Sequence, residues 1–163
     1  MSDPRPIEVV LNSLVGIYHV VGAPALLERF VLRNGTRFDG VPRPRGFRRK
    51  KAKECFANAT RLALDGAGTY YEGYAMSRRL EFPFLHAWVV LDGGALVDPT
   101  LAKPEEYEYF GVPFAKEELT RELVRNECYG LLDTSGWINV PLIAARDPAL
   151  VEQVRGYTSW RNR

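Results

Sequence analysis

Apolar residues recur at helical spacing from residue 7 to residue 33. Val10, Leu14, Ile17 and Val21 form one stripe, Gly22-Ala23-Pro24 interrupts it, and Leu26, Leu27, Phe30 and Val31 form a second, so the spacing predicts two N-terminal helices. Residues 34 to 49 lose the period. With Asn34-Gly35, Gly40, Pro42, Pro44 and Gly46, they read as an extended loop. The segment CFANATRLAL, 55 to 64, combines good helix formers with an apolar face and stops at Asp65-Gly66-Ala67-Gly68. The pattern then changes. Runs at 69 to 76, 84 to 91 and 95 to 98 are rich in aromatic and branched residues and predict strands, and Asp92-Gly93-Gly94 marks a hairpin between the last two. Helical spacing returns at 115 to 129, through Leu119, Leu123 and Val124, and at 147 to 155, where Asp147 precedes Pro148 in the first turn. Helices, then an antiparallel sheet, then helices make an α+β fold.

Composition narrows the class. A chain of 163 residues with 46% hydrophobic and 26% charged positions suits a single globular domain over 1–163. No apolar run approaches the length of a membrane span, and the opening MSDPRPIEVV lacks a secretion-signal pattern, so a cytoplasmic protein is expected. Two cysteines are too few for a disulfide framework, which favours free thiols. Cys55, His86, His19 and Cys128 are scattered singly, so neither a metal site nor a cofactor is expected. His19 lies among apolar helix positions and reads as a packed or surface histidine.

Charge is uneven. Residues 43 to 53 hold seven cations (Arg43, Arg45, Arg48, Arg49, Lys50, Lys51, Lys53) and no acid before Glu54, which leaves −5 for the rest of a chain whose net charge is +2. Such a stripe could recruit an acidic protein or peptide through Arg48, Arg49, Lys50 and Lys51, could hold nucleic acid through phosphates, or could be a solvated loop.

The residues that carry chemistry are Cys55, His86 and Asp98. A thiol at a helix start gains from unpaired N–H groups and the positive end of the helix dipole, although Glu54 directly before Cys55 acts the other way. If Asp92, Gly93 and Gly94 form a three-residue loop, Leu91 pairs with Ala95 and His86 falls opposite Thr100. Asp98 then lies diagonal to His86 on the same sheet face. A two-residue loop would separate them. Joined, the three residues have the roles of nucleophile, general base and orienting carboxylate. Taken singly, each has a plain alternative: a core thiol, a sheet histidine and the start of the Asp98-Pro99 turn. Asn58, on the Cys55 face of its helix, Glu72, in the neighbouring strand, and Trp88, on the His86 face, are candidates for contact with the site.

ECFANA around Cys55, LHAWVVLDG around His86 and LVDPT around Asp98 resemble the papain-like and transglutaminase-like cysteine enzymes over about a third of the chain. The order Cys, His, Asp is that of the transglutaminase-like branch. The resemblance implies a nucleophilic cysteine at the start of a helix on an antiparallel sheet, with His and Asp on adjacent strands. Two positions depart from it. Phe56 stands where that group often has Trp or Tyr, and residues 48 to 53 hold no glutamine to complete an oxyanion hole. The expected activity is a thiol hydrolase or acyl transferase acting on an amide (protease, deamidase or transglutaminase-like) through a thioester. The alternative is a non-catalytic binding module built on the 43 to 53 stripe.

Overall fold

Six α-helices and a five-stranded antiparallel sheet make up most of the described chain, residues 5–21 and 25–158 of a computed structural model. The fold is α+β. Helix α1 (Ile7–Val20) and helix α2 (Leu26–Asn34) stand where the two stripes predict them, while Gly22-Ala23-Pro24 lies outside the described residues. Pro6 precedes α1 and offers no side-chain cap. The Ile7 N–H instead donates to the buried carboxylate of Glu108, 2.9 Å away, which fastens the helix start to the sheet. The predicted stripe of α1 is buried only in its first half: Val10 is covered, whereas Ile17 and Val21 are exposed.

Helix α3 (Cys55–Leu64) has the limits that its sequence pattern predicts. Strands β2 (Thr69–Ser77), β3 (Pro83–Val90) and β4 (Leu96–Val97) follow it. Two strands of the five-stranded sheet were not foreseen. Strand β1 (Thr36–Asp39) lies inside the segment expected to be a loop, and β5 (Tyr107–Phe114) lies in the region after Thr100. Both have physical reasons to be cryptic. Strand β1 is a short polar edge strand whose partner is about seventy residues away, and β5 carries Gly111 and Pro113, which read as breakers. The sheet order is β1-β5-β2-β3-β4.

Helix α4 (Lys116–Asn126) ends three residues before its predicted limit because Glu127 turns left-handed at φ 53° and its N–H closes on Leu123. A small hairpin of β6 (Asp133–Thr134) and β7 (Trp137–Ile138) leads to α5 (Val140–Arg146), a helix not foreseen and capped by Asn139. Helix α6 (Pro148–Thr158) opens as predicted, with Asp147 Oδ1 accepting from the Leu150 N–H at 3.1 Å.

The two sheet faces carry different cores. One bears Tyr70, Tyr74, Met76, Val89, Phe110, Val112 and Phe114, packed with the apolar sides of the helices. The other bears Ala75, Trp88, Val90, Leu96 and Tyr109, lined at its margin by Phe38, Tyr71, Phe84 and Leu101. His86 and Asp98 share the register of this second face.

Candidate active site

The hairpin between β3 and β4 takes the three-residue loop. Val89 pairs with Val97 and Val90 with Leu96, the Leu91 N–H donates to Ala95 O at 2.9 Å, and Gly94 supplies the positive φ of 84° that this loop needs. His86 and Asp98 consequently point the same way. His86 Nε2 lies 2.8 Å from Asp98 Oδ2, with the two side chains 2% and 0% exposed. The carboxylate is fully engaged. Tyr109 Oη donates to Oδ2 at 2.8 Å, and the N–H groups of Thr100 and Leu101 donate to Oδ1 at 2.7 and 3.0 Å. Burial opposes ionisation of Asp98, but the His86 hydrogen bond and charge, together with the two backbone N–H groups, outweigh it and hold its pKa below the usual range.

Cys55 is the first residue of α3, and its thiol is close enough to His86 to help raise the imidazole pKa. With Nε2 taken by Asp98, Nδ1 is the ring nitrogen left for the thiol. Burial disfavours the imidazolium, yet the hydrogen bonds and charges of Asp98 and Cys55 prevail and push the His86 pKa up to about 9. The chain enters α3 sharply, for Lys53 sits at φ 66°, in the left-handed region that side chains other than glycine seldom adopt. No side chain caps α3, which leaves its first-turn N–H groups open beside Cys55. Glu54 is turned aside: it pairs with Lys51, and this bond lowers its pKa at the surface.

The other sequence candidates fall in different places. Asn58, one turn along α3, spends both amide hydrogens on Lys51 O (2.8 Å) and Thr100 Oγ1 (3.0 Å), so it braces the site instead of offering a donor to a substrate. Glu72 pairs in register with Ala87 and therefore faces the helix-covered side, away from His86. There it accepts from Tyr70 Oη and from the N–H groups of Leu131, Leu132 and Asp133 at 2.6 to 3.2 Å, although burial raises its pKa. Trp88 shares the His86 face but is sealed, stacked on Tyr71 at 5.9 Å and in edge contact with Tyr109 at 5.1 Å. It is core.

The basic stripe divides. Arg43 Nε donates to Asp98 O at 2.8 Å, Arg49 Nε to Thr100 O at 3.1 Å, and the Lys50 N–H to Pro99 O at 2.6 Å. The stripe is a strap fastened along the Asp98 turn. Arg48 and Lys50 line a groove of about 460 Å³ between the strap and α3, bordered also by Asn58, Arg61 and Pro99. Two residues of the site, Tyr109 and Arg43, were not anticipated from sequence. Tyr109 had a strand signal in its alternation with Tyr107, whereas Arg43 had none that set it apart from the other cations of the stripe.

Among the described residues no group of three or more His, Cys, Asp or Glu is placed to hold a metal, and no helix is long and apolar enough to cross a membrane. Comparison with models of known families, with curated proteins and with solved structures gives no match.

Proposed function

We propose that Cys55, His86 and Asp98 form a nucleophilic triad on a papain-like or transglutaminase-like scaffold, and that the protein is a thiol hydrolase or acyl transferase acting on an amide. The observation that carries this reading is His86, buried between a fully hydrogen-bonded carboxylate at 2.8 Å and a thiol at a helix start. A histidine that serves only the core has no need of both partners.

The chemistry follows from the positions. The Cys55 thiol gives its proton to His86 as its sulfur attacks the amide carbonyl carbon, and the open N–H groups at the start of α3 face the oxygen that becomes negative. The C–N bond breaks as His86 gives its proton to the leaving amine, and a thioester remains. Water, or an acceptor amine in a transferase, then adds to the thioester while His86 takes its proton, and the thiol is released. Asp98 stabilises the charged imidazole and fixes which nitrogen meets the sulfur. Two free thiols in the chain suit a reducing cytosol.

Alkylation by a neutral electrophile, with the sites located by mass spectrometry, tests the reading. Cys55 should react faster than Cys128, and His86→Ala should slow Cys55 about a hundredfold while leaving Cys128 alone. Equal rates for the two thiols would overturn it.

A further inference from the structure

One face of α3, through Asn58, Arg61, Leu62 and Asp65, forms a wall of the groove opposite Phe47, Arg48 and Lys50 of the strap, and Pro99 closes it at the Asp98 turn. Cations dominate it, with Arg48, Lys50 and Arg61 against Asp65 alone. Their engagement differs from that of their neighbours. Arg43 and Arg49 are bound to backbone carbonyls and Lys51 to Glu54, whereas the side chains of Arg48 and Lys50 make no hydrogen bond or ion pair to the described residues. Arg61 is steadied from one side by the Tyr129 ring, 5.2 Å from its guanidinium carbon, which leaves further donors of its planar head available. Asn58 completes the set. It is only 5% exposed, both of its amide hydrogens are engaged, and Oδ1 is an acceptor with no partner among the described residues.

Accessible cations, a neutral acceptor and the apolar surfaces of Phe47, Leu62 and Pro99 match one kind of ligand. We infer that this groove is the docking subsite for an acidic peptide segment of the substrate. Its carboxylates meet Arg48, Lys50 and Arg61, a backbone N–H meets Asn58 Oδ1, and an intervening apolar side chain lies on Phe47 and Leu62. The substrate role rests on the Cys55 reading, since Asn58 stands one helical turn, roughly 5 Å, from Cys55 and Pro99 directly follows Asp98. Nucleic acid fits less well. A phosphate backbone needs a continuous run of available cations, and the bonds of Arg43, Arg49 and Lys51 interrupt this one.

Fluorescence anisotropy of a labelled peptide of about ten residues alternating Glu and Leu, against its Gln counterpart, tests the inference in the Cys55→Ala protein, where no thiol chemistry occurs. The Glu peptide should bind and the Gln peptide should not. Arg48→Gln, Lys50→Gln and Arg61→Gln should each weaken binding about two- to fivefold, more at low salt than at high, and Arg48→Glu with Lys50→Glu should transfer preference to a Lys-Leu peptide. Equal binding of the Glu and Gln peptides, or tighter binding of a single-stranded oligonucleotide than of the Glu peptide, would overturn the subsite. Peptide binding with equally reactive thiols supports the subsite and sinks the triad. An activated Cys55 without peptide binding does the reverse.

Discussion

Asp98 accepts four hydrogen bonds with two oxygens, and each oxygen has its own duty: Oδ1 holds the turn and Oδ2 holds His86 and Tyr109. Asp98→Asn keeps the first duty, because the amide oxygen can still face the N–H groups of Thr100 and Leu101. Its NH2 then faces His86 Nε2, which must accept, so Nδ1 carries a proton toward Cys55 and the base is lost. Turnover, and alkylation of Cys55 as its proxy, should fall by about 10³-fold while the fold persists on circular dichroism. The pH dependence of stability has a definite sign. The folded His86 pKa of about 9 lies above its ordinary 6.5, so the stabilisation is complete below about 6.5 and is lost as pH rises through 9. Urea midpoints should decline across that window, and in His86→Gln this part of the decline should vanish.

At the scale of elements, the β2–β5 pairing sets two glycines opposite each other, Gly73 and Gly111, beside His86. They are there for space. A Cβ at Gly111 would stand 2.5 Å from the Trp88 ring and 2.8 Å from Glu72 O, so Gly111→Ala should cost about 2–3 kcal/mol in chemical denaturation, far more than Gly93→Ala in the open hairpin loop. Such a constraint explains what could and could not be read in advance. Helix α3, the β3–β4 hairpin and the placement of Cys55, His86 and Asp98 depend on local signals: a helix stop at 65–68, a glycine at the third loop position, a period of two. Strand β5, Tyr109 on Asp98 and the strap contacts of Arg43 and Arg49 depend on pairings between distant segments. Gly111 and Pro113 even pointed the other way, since a glycine demanded by a tryptophan two strands away has the sequence signature of a turn.

Over the whole molecule, two buried carboxylates hold the periphery to the sheet. Glu108 ties α1, Arg37 and Arg78 together, and Glu72 gathers the 131–133 segment through three backbone N–H groups. Glu72→Gln replaces one acceptor oxygen by an NH2 that meets donors, so it should cost about 3 kcal/mol and speed amide exchange at 131–133, while exchange in the β3–β4 hairpin stays slow. That hairpin has its own kinetic meaning. His86 and Asp98 are twelve residues apart in the chain, and their contact closes with one short loop, at small entropic expense and on the microsecond scale. Cys55 arrives only when α3 docks across the sheet, after longer segments have been ordered. On the proposed triad, a refolding chain is expected to close the His86–Asp98 pair before Cys55 joins it, because one short loop separates that pair whereas α3 and β2 lie between Cys55 and His86.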